Sequence, residues 1–249
     1  MRILVTGGAG FIGSNFVRRT LEDAYPGLEG ADVVVLDALT YSGNLENLAP
    51  VADSPRYEFV HGDIRDADLL DRILPGVDAI VHFAAESHVD RSVRDSGIFV
   101  ETNVLGIVHT FAPFVAAMRA ARTGTLAGIA SVAGFRGLPG SGAYSASKAA
   151  AIAYLESLRV ELVGSGVAVV TVCPGFVATP MTARNPYPMP FLLPPDRAAA
   201  LIARAVARRR RFYVLPWPMA WIGRLLRVAP RSLYDRVLAG RKRKPRDAG

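Results

Sequence analysis

The run Ile3-Leu4-Val5-Thr6-Gly7-Gly8-Ala9-Gly10-Phe11-Ile12-Gly13 decides the fold. An apolar strand over 2–6 meets a cluster of glycines, and a helical pattern over 11–24 follows. Each glycine has its own task in such a strand–turn–helix unit. Gly7 makes the tight turn, Gly10 lets the backbone approach a pyrophosphate, and Gly13 lets helix and strand pack closely. The helix start at Phe11 and Ile12 offers free N–H groups and positive dipole to phosphates. The next strand, Val33-Val34-Val35-Leu36-Asp37, closes on a carboxylate where ribose hydroxyls are expected. That carboxylate would repel a 2′-phosphate and no arginine directly follows it, so NAD is expected over NADP.

Working outward, apolar runs at 32–37, 57–61, 78–83, 125–130, 167–172 and 212–215 alternate with helical patterns at 66–74, 98–121 and 143–164. Strands that are apolar throughout, separated by helices, predict a parallel sheet covered on both faces. The expected class is an α/β doubly wound sheet of Rossmann type, in the order 3-2-1-4-5-6-7. One catalytic domain over 1–215 is expected, followed by a basic, aromatic C-terminal tail over 216–249. At 249 residues and 51% hydrophobic, the chain can bury one full core.

Charge is distributed unevenly. Residues 204–249 hold 14 of the 29 Lys+Arg and only two acids, Asp235 and Asp247, so this end is +12 and the remainder −5. Basicity therefore belongs to the tail, and no nucleic-acid partner is expected from it. The single cysteine, Cys173, and an N-terminal apolar run too short for a signal core predict a cytoplasmic protein, peripheral to membranes at most. His61, His82 and His109 show no metal-ligand spacing with each other or with Cys173, and no metal is expected.

Residues 1–106 resemble the N-terminal part of dTDP-glucose 4,6-dehydratases, members of the extended short-chain dehydrogenase group. TGGAGFIGSNF at 6–16, LDALTYSGNLENL at 36–48, HGDIRD at 61–66, HFAAESHVDRS at 82–92 and ETNVLG at 101–106 carry the resemblance. It implies that Asp63 and Ile64 flank an adenine and that Ala84, Ala85 and Ser87 line the cofactor. Thr40 and Thr102 would add polar contacts, and His88 and Asp90 would lie near a sugar-nucleotide site. That family carries a Thr-Asp-Glu run after strand five, whose acid pair removes water from the sugar. Here Val132 and Ala133 occupy those places, and neither can move a proton. The dehydratases' later substrate-binding lobe is not expected in this chain.

From about residue 106 the chain instead resembles single-domain short-chain dehydrogenases, through SVAGFRGLPGSGAYSASKAA at 131–150, ESLRVEL at 156–162 and CPGFVATPMT at 173–182. Tyr144 and Lys148, four apart at a helix start, share a face. An ammonium there is expected to lower the phenol's pKa, making Tyr144 an acid–base group. Ser131, after strand five, would hydrogen-bond a substrate oxygen, and Asn103 would hold a water relaying protons to Lys148. Pro174 and Gly175 resemble the nicotinamide-side loop, with Thr179 donating to the carboxamide. The halves bear the marks of two subgroups, with a changeover near 103–106, as in a fusion.

The expected activity is NAD(P)-dependent hydride transfer with a small alcohol or ketone, in a homo-oligomer. A dTDP-glucose 4,6-dehydratase and a dinucleotide-binding protein with little turnover are the alternatives. Residues 195–211 read as a capped amphipathic helix ending in Arg208 to Arg211, with the last strand at Phe212–Leu215. Beyond it, Trp217, Met219, Trp221, Ile222, Leu225, Leu226 and Val228 interleave with Arg224, Arg227 and Arg231. Such a pattern suits a helix lying on a membrane surface. It also suits a helix packed over the substrate pocket or a subunit interface, which Pro216, Pro218 and Pro230 favour. Residues 241–249 are expected to be disordered.

Overall fold

The structure is a computed structural model and describes residues 1–87, 96–183 and 188–239. Among these, seven strands form one sheet: β1 (Arg2–Thr6), β2 (Asp32–Asp37), β3 (Tyr57–His61), β4 (Ala79–His82), β5 (Gly124–Ile129), β6 (Val167–Pro174) and β7 (Phe212–Leu215). Every pairing is parallel, in the order β3-β2-β1-β4-β5-β6-β7, the doubly wound arrangement. Register places Leu4 between Val34 and Ile80.

Two-residue alternation along these strands feeds two separate cores. On one face Ile3, Val5, Val33, Val35 and Val172 meet Phe16 and Val17 of α1 (Phe11–Leu21) and Ile202 of the late helix α6 (Pro195–Ala207). On the other, Leu4, Val34, Ile80 and Leu126 meet Phe111 and Phe114 of α3 (Ser96–Ala121) and Leu155 of α4 (Gly142–Glu161). The short α2 (Ala67–Ile73), capped by the Asp66 carboxylate, covers the same face through Leu70. A second short helix, α5 (Pro180–Ala183), follows β6. Although α3 is long and apolar enough to cross a membrane, its Ile107, Phe111, Phe114 and Met118 lie in the core.

Two expectations are corrected, and a third is refined. The first helix stops at Leu21 rather than 24, because Asp23 turns left-handed (φ 54) and Arg56 caps the Leu21 carbonyl. The 195–211 helix stops at Ala207. Arg209 is left-handed (φ 48), and the Arg210 N–H closes back on the Ala205 carbonyl, so Arg208 to Arg211 lie outside the helix and lead into β7. The 98–121 helix contains a π-turn at Glu101–Leu105.

Beyond β7, Pro216 and Pro218 start a helix rather than break one. Pro216 is the N-cap of α7 (Trp217–Val228), where a missing N–H costs nothing. Pro230 separates it from α8 (Arg231–Ala239). Residues 241–249 lie outside the described residues.

Candidate functional site

A cleft of about 330 Å³ opens at the carboxyl ends of the strands, where β1 and β4 lie side by side and the chain's winding reverses. Gly7, Gly10, Phe11, Ile12, Gly13, Asp37, Thr40, Asp63, Ile64, Ala84, Ala85, Ser87, Thr102, Ser131, Tyr144, Lys148, Pro174, Gly175 and Thr179 all line it. Of the sequence-selected residues in the described parts, Asn103 alone stands behind the wall. His88 and Asp90 lie outside the described residues.

The glycine turn is shaped by close approaches. Gly7 has φ +70, and a Cβ there would stand 2.5 Å from the Ala84 amide nitrogen. A Cβ on Gly13 would stand 2.4 Å from the Gly7 carbonyl oxygen. Gly10 is the N-cap of α1 and no side chain caps the helix, so first-turn N–H groups face the cleft wall. This is a cradle for a phosphate group, held open by missing side chains.

Asp37, buried at the end of β2, accepts N–H bonds from Ala9 and Leu39, both at 2.9 Å. Opposite, the Tyr41 hydroxyl accepts the Ser87 N–H at 3.1 Å and stands 3.2 Å from the Ser87 hydroxyl. This link joins the loop after β2 to the loop after β4. Sequence reasoning missed it, as it missed Ser42, Arg65, Glu86 and Ile98 in the lining. Arg65 forks onto Asp63 at 2.7 Å and holds its carboxyl below the usual carboxylate range. Ile64 keeps its place because Gly106 leaves room: a Cβ there would meet the Ile64 Cδ1 at 2.5 Å.

At the other end, Ser131 follows β5 and its Oγ accepts the Ala133 N–H at 3.1 Å, capping the short turn Val132–Gly134. Tyr144 stands edge-on to Phe99, with the Ser131 hydroxyl near its phenol. Burial raises the Tyr144 pKa, and the nearby Ser131 hydroxyl only partly offsets that. The expected lowering by Lys148 is thus corrected: the ammonium points to the Ile129 carbonyl at 3.2 Å, and desolvation dominates at the phenol. Burial also brings Lys148 down to about 8. Behind them, burial pushes the Cys173 thiol up to about 12 and, with help from the Lys148 charge, His82 down to about 3. Both are neutral wall groups at pH 7.

Asn103 sits in the π-turn with its amide fully engaged. It accepts the Glu86 N–H at 2.7 Å and donates to the Glu86 carbonyl at 2.9 Å and the Ser147 hydroxyl at 3.0 Å. It therefore clamps the loop after β4 to α4, one residue before Lys148. Thr179 and Thr182 exchange hydrogen bonds that cap α5. Among the described residues no group of three His, Cys, Asp or Glu side chains could hold a metal ion.

The C-terminal helices pack beside this end of the cleft. Gly223 of α7 lies so close to Phe135 that a Cβ would stand 2.3 Å from its ring, and Met219 stands against Gly175. Arg136 donates to the Leu226 and Ala229 carbonyls, both at 2.7 Å, and lies 4.3 Å from the Tyr234 ring.

Residues 4–126 match the family of GDP-mannose 4,6 dehydratase. A dTDP-glucose 4,6-dehydratase of Streptomyces niveus is 64% identical over 106 residues, which make 43% of this chain and 32% of that protein. The chain thus matches about a third of that relative's length. The crystal structure of DesIV, a dTDP-glucose 4,6-dehydratase from Streptomyces venezuelae with NAD and TYD bound, superposes with a TM-score of 0.70 at 37% identity, covering 86% of this chain and 74% of DesIV. A short chain dehydrogenase from Burkholderia cenocepacia in complex with NADP superposes at 0.76 with 23% identity, covering 95% of this chain and 97% of its own, a likeness of fold.

Proposed function

From its membership of the short-chain dehydrogenase/reductase superfamily, with a front half of the dTDP-glucose 4,6-dehydratase type, we propose that this chain is an NAD-dependent oxidoreductase acting on a small alcohol or ketone in the cytoplasm. One observation carries the reading. Ser131, Tyr144 and Lys148 line the same cleft as the glycine turn and Asp37, at its opposite end.

The residues fit a dinucleotide. The uncapped start of α1 and the bare Gly7–Gly13 cradle suit its diphosphate, Asp37 its ribose hydroxyls, and Asp63 with Ile64 its adenine. Asp37 favours NAD over NADP, because a buried carboxylate repels a 2′-phosphate. When bound, the dinucleotide supplies a hydride acceptor or donor. Tyr144 holds and moves the proton on the substrate oxygen, and Ser131 orients that oxygen. Lys148, a cation at the same end of the cleft, would hold the ribose of the dinucleotide. Asn103 positions α4 through Ser147. The join between the two halves, near residues 103–106, falls inside one helix, which would let a fusion keep the fold.

The test is Tyr144→Phe. NADH binding, read by fluorescence, should persist while alcohol-dependent reduction of NAD is lost. Turnover equal to the parent's would overturn the assignment.

The identity of the front half favours a second reading, a dTDP-glucose 4,6-dehydratase. Val132 and Ala133 argue against it, since neither exchanges protons and Ala133 is buried. Formation of a 4-keto-6-deoxy sugar nucleotide from dTDP-glucose would reinstate it. Dinucleotide binding without turnover on a broad panel of alcohols and ketones would favour a binding protein instead.

A further inference from the structure

We propose that the outer face of α7 and α8 docks on an anionic lipid bilayer. Residues 217, 221, 225 and 228 fall at helical spacing on one side of α7. They are Trp217, Trp221, Leu225 and Val228, exposed by 73%, 64%, 68% and 77%. The opposite side of the same helix is spent on the body of the protein, through Met219 and Gly223. Leu233 and Val237 of α8 are exposed apolar side chains too. The two readings of this segment from sequence are thus two faces of one helix.

The charges around this surface name the partner. Arg224 lies 5.2 Å from the Trp221 ring, and Arg231 and Arg236 of α8 are exposed, while Arg227 turns inward over the Phe135 ring at 4.8 Å. Asp235 is the one acid between residues 208 and 239. The chain then continues as Arg241-Lys242-Arg243-Lys244-Pro245-Arg246. Two copies of this face would set arginine against arginine. A phosphodiester backbone would answer the charges but leave the Trp–Leu–Val strip in water. An anionic bilayer answers both, taking the apolar strip into the interface while arginines reach the headgroups. Arg136 already holds the end of α7, so little ordering opposes docking.

Trp217 and Trp221 are the only tryptophans in the chain, so tryptophan emission, excited apart from the tyrosines, reports on α7 alone. The full chain is mixed with vesicles of phosphatidylcholine, with or without phosphatidylglycerol, and both emission and co-sedimentation are read. A blue shift and co-sedimentation with the anionic vesicles, weakened by about 0.5 M salt, are expected. Leu225→Glu with Val228→Glu changes two exposed positions. It should lower vesicle partitioning by about tenfold or more with the circular dichroism unchanged. Equal partitioning into neutral vesicles, or parent-like binding by the double variant, overturns the proposal. So does a dimer in sedimentation that the double variant dissociates while vesicles bind nothing, and so does binding to duplex DNA in place of vesicles.

Discussion

The Asp37 carboxylate accepts the Ala9 N–H at 2.9 Å, tying the end of β2 to the glycine turn 28 residues earlier. Its second oxygen takes the Leu39 N–H, so one buried side chain shapes both the phosphate cradle and the ribose wall. Asp37→Ala leaves two amides without that acceptor, at a cost of about 1–3 kcal/mol each where water cannot replace it. Thermal unfolding should show the loss. Titration with NADH and NADPH should show weaker NADH binding and a narrower preference, since the repulsion of a 2′-phosphate goes too. Undiminished discrimination would mean that specificity lies elsewhere in the cleft.

Two left-handed glycines separate conformation from contact. Gly7 (φ +70) and Gly30 (φ +66) have similar backbones, yet a Cβ on Gly30 meets nothing within 4 Å. Gly30→Ala should cost about 1–2 kcal/mol, the price of a left-handed residue alone. Gly7→Ala adds collisions with the backbone of Phe83 and Ala84, which cannot move without shifting β4's exit. It should cost clearly more in chemical denaturation and abolish dinucleotide binding. Equal costs would show that the turn relaxes freely.

Lys148 sets a pH dependence whose sign follows from its lowered pKa. In the folded chain it titrates near 8, against an ordinary value of 10.5. Between these pH values the unfolded chain holds a proton that the folded chain has released, so stability rises with pH across that window. Below pH 8 the burial of the charge opposes folding in full, by about 3 kcal/mol. Lys148→Met removes that opposition but leaves the Ile129 carbonyl without the ammonium. The variant should lose turnover yet be about 1–2 kcal/mol more stable than the parent at pH 7, with the gain gone by about pH 10. Denaturation at both pH values checks this, and a gain that persists at high pH would remove charge burial as its cause.

The parts of this design that were legible in sequence are those with local causes. Glycine spacing, apolar runs and the Tyr144–Lys148 interval each act within a few residues, and they predict the sheet order and the cleft lining. The link between Tyr41 and Ser87 spans 46 positions and depends on two loops meeting, so no local pattern announces it. The Tyr144 pKa was misread because spacing places a lysine on the same face without saying where its ammonium points. The end of α6 was misread because arginine is a good helix former, and only the left-handed Arg209 reveals the stop. In the tail, composition showed an amphipathic helix but not that its inner face meets Phe135.

That inner contact depends on Arg136. Its guanidinium reaches the Leu226 and Ala229 carbonyls, groups left without intrahelical partners at the end of α7, and its charge suits the helix C-terminus. It also stacks on Tyr234, whose hydroxyl donates to the Gly137 carbonyl. One arginine therefore fastens both C-terminal helices to the segment between Ser131 and Tyr144. Arg136→Ala removes two charge-assisted hydrogen bonds and a cation–π contact, and should free these helices at a cost of about 2–4 kcal/mol. Hydrogen exchange should quicken across 217–239 while the amides of β1 and β4 keep their protection. Arg136→Lys keeps the charge and a terminal nitrogen with several donors, but lacks the planar guanidinium that lies on Tyr234, so it should restore only part of the protection. Tyr234→Phe, which loses one partly solvated hydrogen bond, should cost about 1 kcal/mol and act on α8 more than on α7. If exchange across 217–239 stays at the parent rate in Arg136→Ala, the packing of Gly223 on Phe135 holds the helices without it.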